Sequence, residues 1–316
     1  MENVKKEIVN SLKINGFRYS TLSFLAGDAS DRKYFEINQN KNKYVLMYDQ
    51  DKKNLKKFIS ITKTLRDHLS VPNILWNFEK NNILILENFG KTKYGLILNK
   101  TNRQKLYNLA IETIINLQKI KTKKIPIYSK KMFIEESNLF FDWYLNTEKV
   151  TKNSFKKEFN YVFLPLLEKF ADLPQVLVHR DYHIDNLFYL AKRKNFLRCG
   201  LIDYQDAVIG PCVYDLVSLT QDARIDIPKQ LESHLIKYYL KKNTFIDKEL
   251  FRYCYNIIAI QRHLKVLGIF SRLSIRDNKK QYLNHLPRVK NLLFINLQQN
   301  NFKKLSSILL PLIKND

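Results

Sequence analysis

Residues 179–186 read HRDYHIDN, between the apolar runs Val176–Val178 and Leu187–Leu190. A polar knot this dense is either a site or an expensive turn, because buried polar groups must be paired. His179 and His183 are four apart, as in a helical zinc pair. Arg180, however, stands where that motif needs its general base, and the strand-like flanks disfavour a helix. The acids read better. Asp181 and Asn186 have the spacing at which a loop aspartate accepts a hydroxyl proton while the asparagine oxygen reaches a divalent ion. After the turn AKRKN (191–195), Asp203 closes the run GLID and offers the hard carboxylate oxygen that such an ion prefers. A hairpin of 187–190 against about 196–203 then carries the knot at one end and Asp203 at the other.

Working outward, residues 3–15 have helical apolar spacing, with Gly16 as a glycine cap. Tyr34–Ile37 and Lys43–Tyr48 read as strands joined by the turn NQNKN (38–42), Leu55–Leu69 as an amphipathic helix, and the stretch up to Gly90 as a strand. The first 90 or so residues are therefore β-rich. Beyond them the period is helical: Leu106, Ala110, Ile114 and Leu117 share a face, and further helices are expected around 231–239, 247–271, 287–298 and 302–314. The knot and its hairpin are the strand-like island in this half.

A chain of 316 residues and 37.7 kDa exceeds the size at which one core stops growing, so two lobes are expected. No apolar run reaches the ~18 residues of a membrane span, and the N-terminus lacks a signal-like core, so a cytoplasmic protein without membrane insertion is expected. Cys199, Cys212 and Cys254 are distant from one another and lack CxxC spacing, which excludes a disulfide framework and a zinc cluster as organising features. The net charge of +24 invites a nucleic-acid reading. The lysines are nevertheless spread through every segment, so a solvated basic surface is expected and no specific nucleic-acid partner. Seven scattered glycines build neither a Walker loop nor GxGxxG, and no GxSxG occurs.

The knot HRDYHIDNL, followed by GLIDYQDAVIGPCVYDLVSL (200–219), resembles the two signatures of the aminoglycoside phosphotransferase and choline kinase superfamily. That resemblance implies an α+β, protein-kinase-like fold of two lobes, a nucleotide-binding lobe at 1–88 and a catalytic, substrate-binding lobe at 89–316. A closer resemblance is to the bacterial anomeric amino-sugar kinases, which phosphorylate N-acetylmuramate and N-acetylglucosamine at the C1 hydroxyl in cell-wall (peptidoglycan) recycling. It rests on AGDASDRKYFEI (26–37), YVLMYD (44–49), LENFG (86–90), FFDWYL (140–145), YQDAVIGPCVYDLVSLTQDAR (204–224) and QRHLKVLGIFSRLSIRD (261–277).

The resemblance implies ATP as co-substrate and a magnesium or manganese ion on Asn186 and Asp203, with Asp181 as base. Asp215 is then a buried structural aspartate tying down the loop, and His179 and Arg180 orient it. Glu87 to Phe89 resemble a hinge for the adenine edge. GDASDRKY (27–34) resembles the phosphate-covering turn, and Met47 stands where a phosphate-pairing lysine is usual, so Arg32 or Lys33 is expected to supply the charge. Trp143 either stacks on a sugar or belongs to the core. Glu136 and Asp142 either bind sugar hydroxyls or face water. Arg262 and His263 either hold the lactyl carboxylate or a sugar hydroxyl, or pair with carboxylates between helices. Asp206 is either second to the metal or a turn residue. A monomer is expected. Another small-molecule kinase, an idle nucleotide-binding scaffold and a basic nucleic-acid binder are the competing classes.

Overall fold

The computed structural model describes residues 2–27, 32–145, 149–244 and 246–314. Among the described residues the strands are β1 (Thr21–Gly27), β2 (Lys33–Gln39), β3 (Asn42–Tyr48), β4 (Ile74–Phe78), β5 (Ile83–Glu87), β6 (Gln175–Val178), β7 (Leu187–Tyr189), β8 (Cys199–Leu201) and β9 (Val208–Pro211). The helices are α1 (Glu2–Ile14), α2 (Lys52–Leu65), α3 (Tyr94–Ile97), α4 (Arg103–Gln118), α5 (Lys130–Leu139), α6 (Lys149–Leu166), α7 (Tyr214–Thr220), α8 (Lys229–Lys242), α9 (Lys248–Asp277), α10 (Leu286–Leu297) and α11 (Lys303–Lys314). The chain divides into two compact units, 1–97 with 185–205, and 98–184 with 206–316. This is not a single cut at 88/89, because the β7–β8 hairpin pairs with the segments that follow α2 and β5 in the first unit. Leu201 N–H donates to the Ser70 carbonyl at 2.7 Å and Tyr189 N–H to that of Thr92 at 2.8 Å. A Cβ on Gly200 would come within 2.7 Å of the Phe89 ring, so any other residue at this strand position would have to displace the Phe89 and Leu190 side chains.

The first unit is built on an antiparallel sheet of order β1-β2-β3-β5-β4. Asn40 and Lys41 join β2 to β3 with φ of 48° and 67°, the two left-handed residues of a type I′ turn whose twist matches the strands. Helix α1 lays Ile8 and Leu12 on Phe35, Ile37, Leu46, Ile83 and Ile85, and it ends at Gly16 with φ 64°. Burying each such side chain stabilises by about 1.5–3 kcal/mol. Helix α2 starts at Asp51, whose carboxylate accepts the N–H groups of Lys53 and Asn54. It stops at Leu65, short of the expected Leu69.

The second unit is helical around the antiparallel pair β6–β9. Helix α9 runs 30 residues from an Asp247 N-cap and is buried along most of its length. At Gly268 it comes so close to α5 that a Cβ would sit 2.3 Å from the Leu139 carbonyl carbon. Directly after Leu139 the chain widens into a π turn, Phe140–Tyr144, which puts the FFDWY stretch outside regular α geometry. No described helix is long and apolar enough to cross a membrane.

Candidate active site

Asn186 and Asp203 belong to the first unit and flank the β7–β8 hairpin. Asn186 ends a single 3₁₀ turn, and its carbonyl accepts the Ile202 N–H at 3.1 Å, which fixes the register between the two residues. Their side chains meet, with Asn186 Nδ2 3.5 Å from Asp203 Oδ2, while Gln205 Nε2 donates to Asp203 Oδ1 at 2.8 Å. Asp203 has φ +63°, in the left-handed region that Asp and Asn tolerate better than other side chains. The next residue anchors it: the fully buried Tyr204 stacks on Phe58 at 5.3 Å and its hydroxyl lies 2.8 Å from that of Thr62, both on α2. The donor set fits a hard cation, since it consists of one carboxylate and one amide oxygen. No group of three His, Cys, Asp or Glu suited to a metal exists among the described residues, so an ion here would complete its shell with substrate or water oxygens, as magnesium does.

Asp181 belongs to the second unit, whose chain passes into the first after Ile184. The loop leaves β6 and is caught by Asp215 in the first turn of α7, which accepts the backbone N–H of His179 at 2.7 Å and of Arg180 at 3.0 Å. Burial pushes the Asp215 carboxyl up to about 7, against the opposing pull of these N–H groups and Arg262. The far end of the loop is caught by Asp222, just past the same helix, which accepts the Ile184 N–H at 3.1 Å. Between them the buried Tyr182 donates to the Ala110 carbonyl at 2.8 Å. Arg180, beside Asp181, has φ +75°, an unfavourable conformation for a side chain of this size that costs about 1–3 kcal/mol. Asp181 itself is half-buried.

Arg180 leads into a polar cluster of the second unit. Its guanidinium pairs with Glu136 and donates to the Asp206 carbonyl at 3.1 Å, lying 5.2 Å from the Tyr128 ring centre. Glu136 also receives the Tyr128 hydroxyl, Lys265 Nζ at 3.2 Å and Gln261 Nε2 at 3.3 Å. Burial alone would raise its carboxyl; Lys265 and Arg180 outweigh that and hold it down at about 2. Glu136 therefore does not face water, because four donors enclose it. Arg262 reaches a carbonyl rather than a carboxylate: it donates to the Arg180 C=O at 2.7 Å and lies over the Tyr214 ring. Asp142 is exposed and bonded to Lys156 at 2.7 Å, and Trp143 is half-buried on the π turn.

In the first unit the residues 28–31 of the phosphate-covering turn lie outside the described residues. Arg32 is buried against Asp49 at 3.0 Å, with both side chains 4% exposed, so its charge is neutralised internally. Lys33 opens β2 and is half-buried, while Met47 is fully buried on β3. Glu87 closes β5 and is bonded to Arg193 at 2.6 Å and Asn73 at 2.9 Å. The Phe89 ring lies 5.3 Å from the Arg193 guanidinium carbon and edge-on to Phe188.

Sequence reasoning did not single out Asp222 or Lys265, and His263, expected on a substrate group or a carboxylate, meets an amide instead. The buried His263 donates through Nε2 to Gln221 Oε1 at 2.8 Å, and burial next to Arg262 pushes its imidazole down from 6.5 to about 3. The unfolded chain takes up this proton first. Stability is thus fully present above about pH 6.5 and falls by about 1.4 kcal/mol per pH unit as pH drops toward 3. His263→Gln keeps a donor toward Gln221 and is expected to remove this slope. Urea unfolding of both proteins at pH 7 and 4.5 checks it, and an equal loss in both would contradict the assignment.

The site thus consists of a hairpin presenting an asparagine–aspartate pair and a loop carrying an aspartate five residues upstream. The model of the phosphotransferase enzyme family (APH) matches residues 21–249, and the chain belongs to that family. It is 31% identical to an N-acetylmuramate/N-acetylglucosamine kinase of Neisseria meningitidis serogroup B over 288 residues, covering 86% of this chain and 84% of the relative. A kinase of the same name from Pseudomonas aeruginosa is also 31% identical, with 83% and 80% covered. Among solved structures, choline kinase LicA from Streptococcus pneumoniae superposes with a TM-score of 0.66 at 13% identity, covering 92% of this chain and 99% of that one. The ADP-bound aminoglycoside phosphotransferase APH(2'')-Ib gives 0.61 at 15%, with 91% and 96% covered. These two share the fold, the two-lobed protein-kinase-like class expected from the sequence.

Proposed function

We propose that the chain transfers the γ-phosphoryl group of ATP to the anomeric hydroxyl of N-acetylmuramate or N-acetylglucosamine, in the cytoplasm, as a step in recycling cell-wall amino sugars. The observation that carries this reading is the Asn186–Asp203 pair at one hairpin, with Asp181 five residues upstream in the same loop. The names of the relatives supply the acceptor.

Asp181 accepts the proton of the attacking sugar hydroxyl and aims that oxygen in line with the phosphoryl group. Asn186 and Asp203 hold magnesium, or manganese in its place, which when bound neutralises charge on the β- and γ-phosphates. The backbone of Glu87 to Phe89 meets the adenine edge. Of the two basic residues at the phosphate turn, Lys33 is assigned to the phosphates, because the Arg32 charge is already matched by Asp49. On the acceptor side, Trp143 and Asp142 of the π turn are assigned to the sugar. Glu136 and Arg262 are assigned no direct contact, since their polar groups are engaged inside the unit.

ADP release measured over amino sugars, amino alcohols and aminoglycosides tests the reading. Turnover is expected with N-acetylmuramate or N-acetylglucosamine, giving an acid-labile anomeric phosphate. Turnover confined to choline, homoserine or an aminoglycoside would overturn the acceptor assignment.

A further inference from the structure

We propose that Glu136 is a positioning residue: it holds the Arg180 side chain away from Asp181 and so keeps that carboxylate aimed as a base. The inference rests on the phosphoryl-transfer reading, in which Asp181 accepts the acceptor's proton.

Arg180 and Asp181 are neighbours of opposite charge, and their attraction contributes to the raised basicity of the Arg180 guanidinium. Left alone, a long cation beside a half-buried carboxylate folds over to pair with it. An Asp181 paired in this way would be a weaker base and a poorer guide for a hydroxyl. The Glu136 carboxylate prevents this by holding the guanidinium from the other side, and the Asp206 carbonyl and the Tyr128 ring complete its seat.

Glu136 is itself held. Tyr128, Gln261 and Lys265, from the segment before α5 and from α9, all donate to it, and with its side chain 13% exposed the carboxylate has little water to turn to. The Arg180 backbone is fixed at the same time, its N–H by Asp215 and its C=O by Arg262, in a left-handed conformation. Backbone and side chain of the residue preceding Asp181 are thus engaged from different elements, and Glu136 is the carboxylate that opposes the pull of Asp181 on the guanidinium. A side chain enclosed by four donors has no place for a sugar hydroxyl, which separates this role from direct substrate contact.

The test is a double-mutant cycle between Glu136→Gln and Arg180→Gly, read by ADP release with saturating ATP and varied acceptor. Glycine keeps the N–H and C=O contacts, adopts φ > 0 without a Cβ penalty, and removes the cation that Glu136 restrains. Glu136→Gln alone is expected to lower kcat about 10- to 100-fold with the acceptor KM changed less than about twofold. In the Arg180→Gly background the same substitution is expected to cost less than about threefold. Glu136→Asp, which keeps the charge, is expected to recover part of the loss.

Glu136→Gln removes the ion-pair partner of the buried Lys265, which Asp181 also attracts, so the cycle is repeated on Lys265→Met, with melting temperature and ATP affinity recorded for each protein. The same coupling is expected there. Equal losses with Arg180 present and in the Arg180→Gly background, or a raised acceptor KM at unchanged kcat, would overturn the positioning role. An unmodified protein that releases no ADP with any acceptor would instead count against the phosphoryl-transfer reading.

Discussion

Asp181→Asn is expected to lower turnover roughly 10²- to 10⁴-fold, about 3 to 5 kcal/mol of transition-state stabilisation. The amide has the size of the carboxylate but cannot take up the acceptor's proton. The loop's anchors are elsewhere: Asp215 and Asp222 hold its two ends, and Tyr182 ties its middle to α4. The variant should therefore melt close to the unmodified protein. Steady-state kcat for the amino sugar, together with a thermal melt, checks both halves. Near-normal turnover by a folded Asp181→Asn protein would remove Asp181 from the chemistry.

Asp203→Asn should be almost as damaging, by a different route. Asparagine adopts left-handed backbone as readily as aspartate, so φ +63° is preserved, and what is lost is a negative charge at the candidate cation site. Losing several kcal/mol of charge stabilisation corresponds to a fall on the order of 10³-fold at ordinary magnesium. Half-saturating magnesium should rise by more than about tenfold. Turnover titrated against magnesium and against manganese measures this. An unchanged metal requirement would assign the ion to other groups.

Much of the architecture was legible in sequence, for identifiable reasons. Strands such as β2, which buries Phe35 and Ile37 on one face, and helices such as α4, with Leu106, Ala110, Ile114 and Leu117 buried together, carry their periodicity because one side faces the core. The sheet's edges were not legible. β1 leaves Phe24 and Leu25 about half exposed, and β4 alternates in burial but carries the apolar Leu75 on its exposed face, so neither strand shows an apolar–polar alternation in sequence. β9 is four residues long and owes its existence to pairing with β6, a contact that no local pattern announces.

The candidate site divides in the same way. Asp181, Asn186 and Asp203 were visible from spacing, because a loop and a tight hairpin relate them through short stretches of chain. Asp222, Lys265 and the setting of Glu136 depend on packing between helices far apart in sequence. Arg32 illustrates the limit. A basic residue at a phosphate turn looks like a phosphate ligand until its partner is located, and Asp49 lies 17 positions away.

The hairpin's membership in the first unit also orders the birth of the protein. Residues 185–205 leave the ribosome about 100 residues after 97, at synthesis rates of roughly 5 to 20 residues per second. For about 5 to 20 s, then, the nascent N-terminal sheet is without the strands that pack on Phe89 and Ser70, and without Tyr204, which seals Phe58 and Thr62 of α2. During that interval apolar surface meant for the hairpin is open to solvent and to other chains. Variants that weaken this packing, at Gly200 or Tyr204, should betray themselves first as poor yield in rapidly growing cells.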